Sequence, residues 1–372
     1  MNSKVTKDEI HEILLNYDSK NLTTGHICSH STLQNTYGSR QEGLRTLGFC
    51  TPDRSNVYRS FPLASPDILL QVKTFKEILE PKWQKRLRKE NVIMISTGSV
   101  VEYVGPENLE EKFYVPFFGN RNTLEWERDR KKQRQWLEKA GLKMPREYGD
   151  PSEIDGKVFV KQSGAKGGSG FFTASSEEEY YLKLNEGIRR GVIREKEPKI
   201  TIQEFVSGVR YYVHYFYSSF ETYEEDGANV GDGRVELLSM DRRVEPIDEC
   251  YRGLPDVPKD FFDYTVTGNE PIVIRESLLR HLIKYGVDTV NTSIELFSPG
   301  IQGPFCLETI YHPNSGFTVF EVSARIVAGT NLYPHGSPYS WYIFGEPMST
   351  GRRIAREIKR GIEEKQLNKI IF

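Results

Sequence analysis

Two stretches of this 372-residue sequence carry side chains suited to phosphate and metal chemistry. The first is KVFVKQSGAKGGSGFFT, residues 157–173. Gly164, Gly167, Gly168 and Gly170 crowd into it, with Lys161 before them and Lys166 among them. A loop this rich in glycine lets backbone N–H groups close around an anion without Cβ clashes. The run from Lys157 to Lys161 is β-branched and aromatic, and Phe171, Phe172 and Thr173 resume the pattern, which predicts strand, loop and strand. No Gly-Lys-Ser/Thr tail opens a helix, and a strand follows the glycines, so neither the P-loop nor the dinucleotide fingerprint fits. A phosphate cradle and a plain glycine-rich hairpin tip both remain open on these residues alone.

The second stretch pairs GPFCLETIYH (303–312) with GFTVFEVSARIVAGT (316–330) through a turn at Pro313-Asn314-Ser315-Gly316. It puts Glu308 and Glu321 on the two arms of a predicted hairpin. Like charges side by side on a sheet are destabilising unless a cation lies between them. Mg²⁺ takes one or two carboxylates together with substrate phosphates. The competing readings place one glutamate on each face, or pair them with Arg325.

The remaining elements must position these two stretches. After a helical N-terminus (1–18), LTTGHICSHSTLQ (22–34) predicts a strand, a turn at Ser29, His30, Ser31 and Thr32, and a helix. Hydroxyls at a helix start can hold an anion, or simply cap the helix. Strands follow at 46–51, 67–72 and 91–96, with a helix over 73–88, and Thr97-Gly98-Ser99 follows the last strand. In an open parallel sheet, ligands gather at the carboxyl ends of strands, where both His30 and Ser99 would lie. This alternation makes residues 1–120 an α/β domain. A short strand over 113–118 and a charged helix over 124–140 come next, with Gly141 and Pro145 closing the helix. The interleaved acids of the 128–134 basic run predict a solvated helix face, not a nucleic-acid patch. Helix 176–190 precedes strands over 199–208, 210–218 and 234–245, with the polar insert 224–233 as a loop. His214, in the aromatic strand, is predicted to be a core histidine. Gly268-Asn269 predicts a turn before the start of a helix, and 349–364 a final amphipathic helix.

Composition supports this division. Hydrophobic residues make up 37% and aromatics 12%, enough for full-sized cores. The net charge of −2 gives no electrostatic case for nucleic acid or a membrane as partner. Cys28, Cys50, Cys250 and Cys306 are isolated, as expected in a reducing compartment. No apolar signal core or spanning run is present, and a cytoplasmic protein is expected.

In chain order, VFVKQSGAKGGSGFF, IQEFVSG, CLETI and FEVSAR resemble the ATP-grasp superfamily. The resemblance implies an α/β and α+β chain: a Rossmann-like N-terminal domain (1–120), then an ATP-grasp domain (121–372) with a lid at about 145–208. It implies ATP contacts at Lys161, Gly164, Ala165, Lys166, Gly167, Gly168 and Gly170, and at Gln203, Glu204, Phe205 and Val206 of the linker strand. Glu308 and Glu321 match the metal-binding glutamates, for Mg²⁺ or Mn²⁺. The second motif usually reads Glu-x-Asn-x-Arg. Here Ser323 stands at the Asn position, so the second of two metal ions has a weaker ligand.

The sequence is more closely similar to one archaeal purine family, the formate-dependent FAICAR synthetases. CSHSTLQ, STGSVVEYVG, PFFGNRNTLEWERDR, TGNEPIVIRESLL, VFEVSARIVAGTN and STGRRIAREI carry that likeness over nearly the whole chain. The resemblance implies an ADP-forming C–N ligase. It would join formate to the amine of 5-amino-4-imidazolecarboxamide ribonucleotide (AICAR) through formyl phosphate. It implies AICAR contacts at His30, Ser99 and Asn269, a nucleotide contact at Glu245, charge stabilisation by Lys166 and Arg325, and a homo-oligomer such as a hexamer. Another ATP-grasp ligase with a different acid and amine, or a nucleotide-binding homologue without turnover, would share these motifs.

Overall fold

The computed structural model describes residues 4–162, 171–191, 193, 200–222, 227–245 and 266–372. Among them the strands form three sheets. Helix α1 (Lys7–Leu15) is closed by a capping box between Thr6 and Glu9. The first sheet is parallel, built from β1 (Thr23–Ile27), β2 (Arg45–Cys50), β3 (Ile68–Gln71) and β4 (Val92–Met94) in the order β3-β2-β1-β4. The central strand β1 is buried along its whole length, as expected of a parallel strand covered on both faces. Helices α2 (Thr32–Gln41), α3 (Pro52–Arg59), α4 (Pro81–Lys89), α5 (Gly98–Val104) and α6 (Pro106–Lys112) cover it.

Two expectations in this part are corrected. The single helix over 73–88 is instead a 3₁₀ turn, Phe75–Leu79, and then α4. Pro81 has no N–H to continue the first segment and holds Glu80 extended at ψ 139°. Residues 113–118 do not form a strand. Phe117 and Phe118 make only isolated bridges to Met94 and Ile371, and the Pro116 carbonyl accepts from Met94 while its nitrogen has nothing to donate.

The helix expected over 124–140 is two helices, α7 (Thr123–Arg128) and α8 (Arg130–Lys139). Asp129 breaks it with ψ 109°, and its carboxylate accepts from the N–H groups of Lys131 and Lys132. The second sheet, β5-β8-β6-β7, contains β5 (Glu147–Tyr148), β6 (Val158–Gln162), β7 (Phe171–Ala174) and β8 (Ile200–Glu204). Helix α9 (Glu177–Arg189) packs on it around Tyr148, Val158, Val160 and Ile202.

The third sheet runs β10-β11-β9-β13-β14, with β12 on the free edge of part of β11. Its strands are β9 (Val209–Ser218), β10 (Asn229–Val230), β11 (Gly233–Val244), β12 (Gly268–Pro271), β13 (Gly303–His312) and β14 (Gly316–Ser323). Gly268 and Asn269 are therefore strand residues opposite Val244 and Arg243, not a turn. The arm expected over 316–330 stops at Ser323, and Ala328–Leu332 is a 3₁₀ turn. The long helix α10 (Glu276–Phe297) covers one face, where Trp136, Tyr215 and Phe305 are buried. Short α11 (Pro338–Phe344) leads to α12 (Thr350–Glu363), which returns to the first sheet and packs on α2. Glycines permit that close approach. A Cβ on Gly38 would lie 2.2 Å from the Arg352 nitrogen, and one on Gly351 2.6 Å from the Asn35 Cα.

Candidate functional site

The site is organised by one row across the third sheet. Asp241 is the Cα partner of Tyr212, Tyr212 of Glu308, and Glu308 of Glu321. Facing residues on antiparallel strands project to the same side. The two glutamates thus share a face, which rules out the reading that separates them. Each is met by its own arginine. Arg243 on β11 donates to Glu308 Oε1 at 3.1 Å while its guanidinium stacks 3.7 Å from the Tyr212 ring centroid. Arg130, at the start of α8, pairs with Glu321 Oε2 at 3.0 Å. Arg325 does not pair with either; it turns to Glu127 at 3.0 Å. The basic run of α8 is thus not wholly a solvated face, because Arg130 reaches into the site.

Burial sets the electrostatics. Glu308 is buried, and loss of water pushes its carboxyl above the usual range despite Arg243. Burial also opposes the charge on Arg243, but Glu308 beside it prevails and the guanidinium stays firmly protonated. Glu127 is likewise raised by burial, against the pull of Arg325.

The first sheet delivers His30 and Ser99. After β1 the chain turns through Ser31, a non-glycine residue at φ 67°, before α2. Ser31 sits at the N-cap position but its side chain makes no capping bond. Its hydroxyl instead lies 3.0 Å from His30 Nδ1, while Thr32 Oγ1 accepts from the Ser29 N–H. Simple capping by Ser31 is not what the turn does. A Cβ on Gly98 would come 2.7 Å from His30 Nε2 and 3.1 Å from Arg325 Nη1, so the absent side chain is what lets the two approach. Burial, reinforced by Arg325, lowers the His30 pKa to about 4, leaving a neutral imidazole near neutral pH.

His30, Ser99, Asn269, Glu308, Glu321 and Arg325 all line one cleft of about 440 Å³, together with Arg243 and Ser323. Lys161 is the penultimate residue of β6. Burial lowers its pKa, and Glu321 is the largest opposing influence, which puts the lysine in the field of the paired carboxylates. Gly164, Ala165, Lys166, Gly167, Gly168 and Gly170 lie outside the described residues, as does Cys250. Cys28, Cys50 and Cys306 are buried free thiols. The linker residues are not in the wall of this cleft. Gln203 donates to Glu147 at 2.9 Å, Glu204 accepts from the Arg146 N–H, and Lys157 stands over the exposed Phe205 ring, while Val206 is half-buried. Glu245 is buried and bidentate to Arg210, at 2.9 and 2.6 Å.

Among the described residues no group of three or more His, Cys, Asp or Glu side chains could hold a metal ion. Two facing carboxylates at the edge of a large cleft fit an ion completed by substrate oxygens, and do not fit an all-protein cage. Sequence reasoning missed Arg130, Arg243, Asp241 and Tyr212. Period-two spacing of Asp241 and Arg243 on β11, continued by Glu245 just beyond its end, was the available signal for charged groups on one face. No helix among the described residues is long and apolar enough to cross a membrane.

A parallel sheet carrying His30 and Ser99, a small antiparallel sheet carrying Lys161, and a larger one bearing paired glutamates define an ATP-grasp protein. Residues 179–372 match a family described as "Domain of unknown function (DUF1297)" and residues 24–148 one described as "Protein of unknown function (DUF1246)". The 5-formaminoimidazole-4-carboxamide-1-(beta)-D-ribofuranosyl 5'-monophosphate synthetase of Korarchaeum cryptofilum is 52% identical over 371 residues, 99% of this chain and 100% of the relative. Synthetase 1 of Methanosarcina mazei is 47% identical over 374 residues, covering 99% of both. The crystal structure of an IMP biosynthesis protein PurP from Thermococcus kodakaraensis superposes with a TM-score of 0.70 at 30% identity, covering 94% of this chain and 100% of that one. An ADP complex of purK, an N5-carboxyaminoimidazole ribonucleotide synthetase, shares the fold at a TM-score of 0.60 and 13% identity, over 91% of this chain and 77% of that one. The chain belongs to the family of 5-formaminoimidazole-4-carboxamide ribonucleotide (FAICAR) synthetases.

Proposed function

We propose that this protein is an ATP-dependent C–N ligase that joins formate to the amine of AICAR, giving FAICAR, ADP and phosphate in IMP biosynthesis. The observation that carries the reading is the single cleft in which His30, Ser99 and Asn269 face Glu308, Glu321 and Arg325. In this reading the N-terminal domain (1–120) presents AICAR, and the ATP-grasp domain (121–372), with its lid at about 145–208, presents ATP.

A formate oxygen attacks the γ-phosphorus, ADP leaves, and formyl phosphate results. The AICAR amine then attacks the formyl carbon, phosphate leaves, and the amine proton passes to phosphate or solvent. Lys161, Lys166 and Arg325 offset charge on the transferring phosphoryl group. Neutral His30 can donate or accept a hydrogen bond to AICAR without adding a competing cation. Glu308 and Glu321 would hold Mg²⁺ or Mn²⁺, which when bound supplies charge stabilisation at the phosphates. The glycine loop excludes water from an intermediate that water would hydrolyse. The protein acts as a homo-oligomer such as a hexamer, in the cytoplasm.

Formate has so few atoms that its binding is capped at about −4.5 kcal/mol, a Kd of roughly 1 mM. Millimolar formate dependence and much tighter AICAR binding follow. Mass spectrometry of AICAR incubated with ATP, Mg²⁺ and isotopically labelled formate tests the reading. One labelled formyl group on the nucleotide supports it; unchanged AICAR overturns it.

A further inference from the structure

Asn269 reaches the cleft from β12, and its amide could present either end to a ligand. The residue behind it removes that freedom. Asn269 Nδ2 lies 2.7 Å from Asp241 Oδ2. A carboxylate has only acceptors, so the amide must give its N–H there. Asp241 is buried at 1% exposure, and its other oxygen lies 2.6 Å from Nε2 of His214, which is 2% exposed. His214 must therefore carry its proton on Nε2, and among the described residues its Nδ1 has no partner. Moving the proton to Nδ1 would bury an unsatisfied donor, so the tautomer is fixed. The chain His214, Asp241, Asn269 then has one polarity from end to end.

We propose that Asp241, held by His214, is a positioning residue that locks Asn269 with its carbonyl Oδ1 toward the cleft, so that Asn269 reads an N–H donor of the substrate amine. The proposal rests on the AICAR reading above and names what selects the amine. A substrate offering an acceptor at that point would meet another acceptor. Asp241→Asn reverses the polarity. With the His214 tautomer unchanged, Asn at 241 must accept from His214 and donate to Asn269, which then turns its N–H₂ into the cleft.

The test is a double-mutant cycle on Asp241→Asn and Asn269→Ala, read as kcat and KM for each substrate in the full-length protein. Asp241→Asn is expected to lower kcat/KM for AICAR by about 10- to 100-fold, the size of one misplaced buried hydrogen bond, with KM for ATP unchanged. In the Asn269→Ala background the same substitution is expected to change kcat/KM by less than about 3-fold, because nothing remains to orient. Additive losses, or an equal rise in KM for ATP, would mean Asp241 merely supports the sheet, and would overturn the proposal. If Asp241→Asn does not fold, Gly329→Ala takes its place in the cycle. A Cβ there would lie 2.0 Å from Asp241 Oδ1 and displaces the carboxylate with its charge kept. Absence of AICAR-dependent turnover in the wild type would overturn the functional reading and this proposal with it. Wild-type turnover with additive losses overturns this proposal alone.

Discussion

Glu308 and Glu321 are Cα partners across one hairpin, and each carboxylate is balanced by an arginine from a different part of the chain. The two pairs are unequal. Glu308 and Arg243 expose 7% and 25% of their side chains, Glu321 and Arg130 31% and 70%. Arg243 is fixed by the Tyr212 ring, whereas Arg130 is free to swing into solvent and yield Glu321 to another cation. The buried pair builds the site, and the exposed pair keeps its second carboxylate available.

Charge removal should separate these roles. Glu308→Gln takes the anion from a buried arginine and is expected to cost about 1–3 kcal/mol in urea unfolding. Glu321→Gln removes an exposed pair and is expected to cost under about 1 kcal/mol. Both should lower metal-dependent ADP release by about 100-fold or more, since metal ions supply several kcal/mol at such sites. Equal stability losses, or full activity in either variant, would contradict this assignment.

Arg121 makes a different prediction. Its guanidinium, 1% exposed, donates to the carbonyls of Leu109, Phe113, Val115 and Phe372 and is ringed by Phe113, Phe117 and Phe372. Burial lowers its pKa to about 9. Arg121→Met would take this donor from Leu109, Phe113 and Val115, while the Phe372 oxygen still accepts from the Phe117 N–H at 3.0 Å, and should destabilise by about 3 kcal/mol or more, measured by chemical unfolding. A loss below about 1 kcal/mol would show that water or local rearrangement replaces it.

Legibility followed the range of the interactions. The hairpin itself was legible because its two arms are local, but the facing of Glu308 and Glu321 depends on a bulge. Carried from the turn, the register would set Phe320 opposite Glu308, and a one-residue shift between Glu308 and Thr309 brings Glu321 there. The strand ends holding His30 and Ser99 were legible from alternation of strands and helices. Arg130 and Arg243 were not, because each reaches its glutamate from an element distant in sequence, and an arginine in a mixed-charge run looks solvated. The breaks at Asp129 and Pro81 were lost for the opposite reason: apolar periodicity runs through both, and a single cap or a missing N–H decides locally. Gly268 and Asn269 look like a turn by type and became strand because β11 offered them a ladder.

The buried histidines predict a pH response. His26 has its pKa lowered to about 3 by burial, and His30 to about 4. Both are therefore below the ordinary value near 6.5. The unfolded chain binds these protons first, so stability is complete above about pH 6.5 and is lost as pH falls toward 4 and 3. His26 alone contributes a slope of up to about 1.4 kcal/mol per pH unit below pH 6.5. Unfolding free energies from pH 7 to 5 should fall in wild type and fall less in His26→Gln. Parallel slopes would contradict the assignment.

Lys161 offers a test of the nucleotide side. Lys161→Met should raise KM for ATP by about tenfold or more and leave KM for AICAR within about twofold, by steady-state kinetics. A change confined to AICAR would place this lysine on the wrong substrate.

The most direct measurement is ADP release from ATP and Mg²⁺, with formate and AICAR each supplied and each withheld. The account predicts sustained ADP release when both are present and none without formate, with half-saturation by formate in the millimolar range. ADP formed at the full rate without formate, or none with both, would contradict it.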